Sequence, residues 1–492
     1  MARTARPGSL VVGVVSGAVG LADAIIDRIA EGALADGDRL PSTRALAEQT
    51  GLSRGTVVRA FDELSAAGFV ESVQGSGTRV CAGAGLAARA GARTRGQGAQ
   101  DGQRGEAGRD GRAGAPSVPA PEPRRGRSPR DLRPGIPDVA LVDERAWRSA
   151  VRHAAAEGLA GVNPWEEPSP SLRAALAEHL RRHRGIAVGD PVLFDSSRSA
   201  IAALCAAFVT VQRGRHGGGS VPFHMEDPGY RGAVLMAREQ GLDVRFHPAE
   251  PGGLDAARLG SEPAIVFTTP AHQFPLGHRM SVDRRVELVK WAGQTGSLVI
   301  EDDYDGEFRY GVAPLPALAT LPAAADHVAY VGTSSKSVAP DLRVAWCLPP
   351  GQLRREVERW LVVHRRGPSS LPADALAAFI GSGGMDRHLA RAARVYSDRR
   401  GRLVAALGRE CPGLQVTGVE AGLHLCVVLP GYDDDEVVRL LERAGWRTRS
   451  LSGQSARAEV SGLVLSYSRL SSRDAAEFAA ELRRVLERLE SG

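Results

Sequence analysis

Over the first eighty positions apolar residues recur with helical spacing, and the polar residues between them supply start and stop signals. From about Val19 onward Leu21, Ile25, Ile29 and Ala33 repeat every four residues, with acids and Arg28 between them, which predicts an amphipathic helix. Gly37-Asp38 and Pro41 interrupt it. Ser42 or Thr43 can then cap a short helix through Leu46 and Ala47, ended by Gly51. Ser53 can cap a third helix, Arg54 to Ala66, with Val57, Phe61 and Leu64 on its buried face. Two β-like runs, 69–73 and 78–80, flank Gln74-Gly75-Ser76-Gly77. Helix, helix, turn, helix, hairpin is the order of a winged helix-turn-helix.

Residues 83–130 lose this order. They are mainly Gly, Ala, Arg, Pro, Gln and Ser, with Leu86 and Val118 as the sizeable apolar side chains, a composition that buries no core. A disordered, flexible linker is expected, stiffer from Pro116 onward. Apolar order returns at Leu132-Arg133-Pro134-Gly135 and Trp147. A helix is predicted near 171–184, and β-like runs at 192–194, 265–267, 298–300 and 329–331. Such alternation predicts an α/β domain with a largely parallel sheet, which collects ligands at the carboxyl ends of its strands. The expected division is a DNA-binding domain at 13–82, the linker at 83–130 and a large domain at 131–490.

A length of 492 residues fits two or three domains, and 43% hydrophobic with 24% charged residues fits a soluble globular protein. The five cysteines lack metal or CxxC spacing and read as buried thiols in a reducing cytosol. No metal site is expected. Arg3, Arg6, the run Leu10–Leu21 and Ala22-Asp23-Ala24 imitate a secretory signal, but three glycines interrupt the run and it flows into the first helix. No run approaches a membrane span, so a cytoplasmic protein with no membrane partner is expected. The net charge of +5 resides in the linker: residues 82–130 hold ten arginines and four acids, whereas residues 1–81 hold eight arginines and nine acids. Any nucleic-acid surface on the N-terminal domain is therefore local.

That local surface is the third helix. Arg59 and Gly55 lie opposite its apolar stripe, and Ser53, Arg54 and Thr56 sit at its start, where such helices meet base edges and phosphates. Arg44 opens the preceding helix, and Gly75 lets the wing tip approach a backbone. The string Leu40-Pro41-Ser42-Thr43-Arg44, Leu52-Ser53-Arg54-Gly55-Thr56-Val57, Gly68-Phe69-Val70 and Gly75-Ser76-Gly77-Thr78 resembles the GntR-type DNA-binding domain over residues 19–80. A double-stranded DNA operator is the implied partner.

The candidate chemistry lies in the large domain. Of 62 basic residues only Lys290 and Lys336 are lysines. Lys336 lies in Gly332-Thr333-Ser334-Ser335-Lys336, after a β-like run and before Arg343. An amine can shed its proton and condense with an aldehyde, which a guanidinium does not do. Two other motifs follow predicted strands: Thr268-Thr269-Pro270-Ala271-His272-Gln273, and Glu301-Asp302-Asp303-Tyr304-Asp305-Gly306-Glu307. Acids at a strand end suit Mg²⁺, or a carboxylate that keeps a pyridine nitrogen protonated with a phenol two residues on. A lysine loop with anion-gripping neighbours and Asp-x-Tyr together favour pyridoxal 5'-phosphate.

With Leu172-Arg173, Arg184-Gly185, Glu226-Asp227-Pro228-Gly229-Tyr230 and Ala421-Gly422-Leu423-His424, the large domain resembles fold-type I aminotransferases. The whole chain resembles the MocR/GabR transcriptional regulators. This resemblance implies that Lys336 forms a Schiff base with the cofactor, Asp302 pairs with its pyridine nitrogen and Tyr304 reaches its ring hydroxyl. It assigns Thr333, Ser335 and Arg343 to the phosphate, stacks Tyr230 near the ring and sets His272 alongside. It also implies a homodimer. Two departures stand out: Asp195-Ser196-Ser197-Arg198-Ser199 replaces a glycine-containing phosphate turn, and Val464 stands where the family commonly has a carboxylate-clamping arginine. Three readings follow. One is a regulator that senses pyridoxal phosphate or its amine or amino-acid adduct. Another is a bifunctional DNA-binding aminotransferase. The third is a regulator whose decayed cofactor site serves only dimerisation.

Overall fold

A computed structural model describes residues 15, 17–67, 69–73, 77–81, 83–95 and 130–491, apart from 159–160, 162, 167, 187–188, 217–219, 311–314 and 458–459. In the N-terminal domain, α1 (Gly17–Ala30) buries Leu21, Ile25 and Ile29. The hydroxyl of Ser42 accepts the Ala45 N–H and opens α2 (Thr43–Thr50), which Gly51 closes in a left-handed conformation, φ 70°. The Ser53 hydroxyl likewise accepts the Thr56 N–H at 3.2 Å and opens α3 (Arg54–Ala66). Such caps each stabilise a helix by about 1 kcal/mol. β1 (Val70–Val73) and β2 (Gly77–Val80) pair antiparallel, and Arg39 bridges to Arg79 as a third short partner. The expected winged helix-turn-helix is present.

The linker begins later than its composition suggests. Residues 84–95 form a helix, α4 (Ala84–Arg95), instead of a flexible tether. Ala84, Ala87 and Ala88, spaced on one helical face, are fully buried. Asp36 caps the chain entering it, its carboxylate accepting N–H groups from Gly83 (2.7 Å) and Gly85 (3.1 Å). Alanine adds little apolar bulk to a composition count yet is the best helix former and permits close approach. Residues 96–129 lie outside the described residues.

In the large domain, β3 (Arg130–Asp131) pairs with the short strand Trp446–Arg447. The main sheet contains β4 (Val192–Phe194), β5 (Pro222–Asp227), β6 (Asp243–Pro248), β7 (Ile265–Thr268), β8 (Leu298–Asp302), β9 (Val328–Thr333) and β10 (Ala345–Leu348). Their order is β4-β10-β9-β8-β7-β5-β6. The pairings from β9 across to β6 are parallel, whereas β10 runs antiparallel to both β9 and β4. Register aligns Thr268 with Glu301 and Asp302 with Val331, so the loops after β7, β8 and β9 emerge at one edge. A smaller antiparallel sheet holds Gln415–Thr417, His424–Val428, Gly462–Ser466 and Arg449–Ser450.

The two domains share an apolar core. Leu21, Ile25, Val57 and Ala88 belong to the same buried cluster as Leu254, Val282, Leu288 and Val289. The Val282 N–H donates to the Ala67 carbonyl at 3.1 Å, next to the end of α3. An Ala88→Glu change puts a charge into this seam, so hydrogen exchange should show α1 and α4 losing protection while β7 to β9 keep theirs. Unchanged protection in α4 would contradict the packing described.

Candidate functional site

The carboxyl ends of β7, β8 and β9 open into a cavity of about 1200 Å³. Thr333 ends β9 and caps a one-turn helix, Ser334–Ser337, by accepting the Ser335 N–H at 3.1 Å. That turn carries Lys336 into the cavity, where its ammonium donates to the Gly135 carbonyl at 2.7 Å. Gly135 adopts φ 100°, a backbone conformation that favours glycine, and a Cβ there would lie 2.8 Å from the lysine nitrogen and displace it. Burial lowers the Lys336 pKa, opposed by the carboxylates of Asp302 and Asp305.

The acids at the end of β8 and just beyond it separate into distinct jobs. Glu301 accepts the N–H groups of Leu318 and Ala319. Asp303 forms a buried ion pair with Arg184 and accepts from the Tyr330 hydroxyl. Asp305 bonds His272 at 3.0 Å. Asp302 faces the cavity, and its Oδ1 is buried without a hydrogen-bond partner. Burial, then the neighbouring Asp303, pushes its pKa up to about 7, while Lys336 pulls it down. An unpaired buried oxygen of this kind is costly and suits a ligand N–H.

Tyr304, Tyr230, Thr333, Ser335 and Arg343 all reach the cavity wall. His272 does not stand beside them. Its ring is held by Asp305, and Tyr304 lies in front of it, donating to the His272 carbonyl at 3.0 Å. The Tyr304 hydroxyl is thus already engaged, and His424, 4.8 Å from the His272 ring, supplies the imidazole of the wall. Gln273 is structural, bonding the Pro228 carbonyl and the Leu276 N–H.

Opposite Lys336, the turn Asp195 to Ser199 leads into the 20-residue helix Ser197–His216. The Asp195 carboxylate accepts from Ser196 and Ser199 and lies 3.4 Å from Arg343 and 3.5 Å from Arg366. Hydroxyls, two guanidinium groups and a helix N-terminus together can hold a phosphate. Arg198 leaves this cup open: its Nε donates to the Tyr230 hydroxyl at 3.1 Å.

Val464 is fully buried with Leu276, Cys426 and Leu451 and offers no charge. Directly across the strand pair from it stands Arg449, on the cavity wall and exposed. Among the described residues it has no hydrogen-bond or ion-pair partner. Sequence reasoning looked for an arginine on the strand of Val464 and missed one on the next strand, because cross-strand pairing is invisible in spacing.

On the N-terminal domain, Arg54, Gly55 and Arg59 are exposed on α3. Ser53 is committed to the cap, and its hydroxyl lies 2.8 Å from that of Thr56. Arg44 is exposed and pairs with Glu48 at 3.3 Å. Gly75 lies outside the described residues.

Residues 18–80 match the family described as bacterial regulatory proteins, gntR family, and residues 137–454 match aminotransferase class I and II. The pyridoxine biosynthesis transcriptional regulator PdxR of Corynebacterium glutamicum is 31% identical over 86% of this chain and 85% of its own. The probable rhizopine catabolism regulatory protein MocR of Rhizobium meliloti is 32% identical over 92% of this chain and 90% of its own. The chain belongs to the MocR-type GntR transcriptional regulators. The large domain of this MocR-type regulator has the aminotransferase fold: LysN, an α-aminoadipate aminotransferase of Thermus thermophilus, superposes with a TM-score of 0.65 at 25% identity, covering 74% of this chain and 94% of its own.

The buried acid of this regulator has a consequence for stability. A carboxyl whose folded pKa is raised from 3.8 to about 7 costs nothing below its unfolded value and destabilises progressively as pH rises between the two. Asp302→Asn should therefore stabilise the cofactor-free protein, with urea midpoints diverging from wild type between about pH 4 and 7 and the gap level above that. A gap of equal size at pH 3 and pH 8 would contradict this origin.

Proposed function

We propose that the large domain binds pyridoxal 5'-phosphate and reads an amine or amino acid through it, and that the protein reports this to a double-stranded operator as a cytoplasmic homodimer. The observation that carries the reading is that Asp302, whose buried Oδ1 has no hydrogen-bond partner, lines the same cavity as Lys336. When bound, the cofactor supplies an aldehyde that condenses with amines and a ring nitrogen that draws electrons. Asp302 holds the proton of that ring nitrogen. Lys336, its proton loosened by burial, offers the amine. Thr333, Ser335, Arg343 and the start of helix Ser197–His216 grip the phosphate, Tyr230 and His424 wall the ring, and Tyr304 is positioned through His272. Arg449 gives an anionic group of the effector its partner.

The segment between 269 and 282 runs from the cavity to the N-terminal domain. Thr269 and Phe274 wall the cavity at one end. At the other, Arg279 donates to the Glu63 carbonyl of α3 at 3.4 Å and Val282 meets Ala67. Buried Arg285 clamps the segment, donating to the carbonyls of Pro270 (2.6 Å) and Met280 (3.0 Å). A stiff segment that touches both the ligand cavity and the DNA-reading helix gives ligand contacts a way to bias the head.

Borohydride reduction of the protein with pyridoxal phosphate should leave a phosphopyridoxyl mass on the peptide carrying Lys336 and none on Lys290. Arg449→Gln should keep that label while weakening amino-acid effectors about tenfold or more, the scale of one lost charge-assisted hydrogen bond. Failure to label Lys336 overturns the cofactor assignment. Steady turnover of an amino acid with a keto acid replaces the sensor reading with the bifunctional one.

A further inference from the structure

A second cluster of ligating groups lies outside the cavity, where the helix Pro170–Arg184 meets the N-terminal turn of the helix Gly384–Glu410. His179 and His183, four residues apart, share one face of the first helix, and Asp386 comes from the second. We propose that these three side chains bind one divalent cation of the zinc class and pin the two helices together.

The donor geometry fits. One ligand atom from each residue lies within 4.8 Å of the other two. Asp386 Oδ1 is 2.9 Å from His183 Nε2 and 3.9 Å from His179 Nδ1. Metal–ligand bonds of about 2.0–2.1 Å in a tetrahedron put neighbouring donors about 3.3 Å apart, so small side-chain shifts complete three corners. His179 is only 1% exposed, and its Nδ1 is buried with no hydrogen-bond partner. An orphaned imidazole nitrogen turned toward a carboxylate oxygen is the independent sign of a missing ligand.

Each further contact assists the arrangement. Arg182 donates to the other oxygen of Asp386 at 3.1 Å and shares its charge with Glu178, so it orients the carboxylate with Oδ1 toward the two imidazoles. His183 and Asp386 remain 37% and 33% exposed, which leaves an entry path and a fourth corner for water. Two imidazoles with one carboxylate favour zinc or its first-row neighbours over calcium or magnesium, which prefer oxygen.

The site adjoins the ligand cavity through covalent neighbours. Arg184, next to His183, holds Asp303 in a buried pair, and Asp303 is next to Asp302. Metal binding would thus anchor the helix end that fixes the acid string after β8.

The test titrates zinc alone into the chelator-stripped full-length protein, without pyridoxal phosphate, by calorimetry and thermal unfolding. Cobalt(II) serves as a spectroscopic stand-in. One equivalent should bind the wild type and raise its melting temperature, and cobalt should show the strong visible bands of four-coordination. His183→Ala and Asp386→Asn, both at partly exposed positions, should fold and weaken binding about tenfold or more. Absence of stoichiometric binding by the wild type, or unchanged binding in both variants, overturns the site. Either result leaves the cofactor assignment untouched, because Lys336 labelling does not involve these residues.

Discussion

A carboxyl group buried at the end of β8 with one oxygen unpaired is the constraint on which the large domain turns. Four acids stand within five residues there, and close burial of that many like charges is expensive unless each has its own partner. Arg184 and Tyr330 take Asp303, two backbone N–H groups take Glu301, and His272 takes Asp305. Of the four, Asp302 is the one that lines the cavity, and burial pushes its pKa up to about 7. The partners of its neighbours are all within the protein, so Asp302 is the acid of the string that a ligand in the cavity could reach. Lys336 is held close by the same topology, since β8 and β9 are adjacent parallel strands.

The position of the DNA-binding head follows from a different interaction. Alanine packing along α4, capped by Asp36, fixes the head against the helix Val282–Thr295, and α1, α3 and α4 enter one core with that helix. The segment from Thr269 to Val282 then belongs to both sites. The contact at α3 is a hydrogen bond from buried Arg279 to the Glu63 carbonyl, and burial, opposed by Arg279, pushes the pKa of the Glu63 carboxyl up to about 7.

Much of this was legible in the sequence where local chemistry decides structure. Ser42, Gly51 and Ser53 mark the ends of α2 and α3 where they fall, and the strand-end placement of Asp302 and Lys336 follows from alternation and the rarity of lysine. What escaped depends on pairing between distant segments. Arg449 takes its place only through registration against Val464. Asp386 lies 203 residues from His183. The engagement of His272 behind Tyr304 is a matter of packing depth that no spacing encodes. The helix α4 was hidden for another reason: its buried face is made of alanine, whose contribution comes from backbone propensity and close fit instead of bulk.

The most direct test of the account is the affinity of the full-length protein for DNA flanking its own gene, measured with and without pyridoxal phosphate for wild type and Lys336→Ala. Cofactor should shift the wild-type affinity and leave that of the variant unmoved, while both bind DNA in its absence. A wild type indifferent to the cofactor, or a variant that responds equally, would contradict a head governed by the Lys336 cavity.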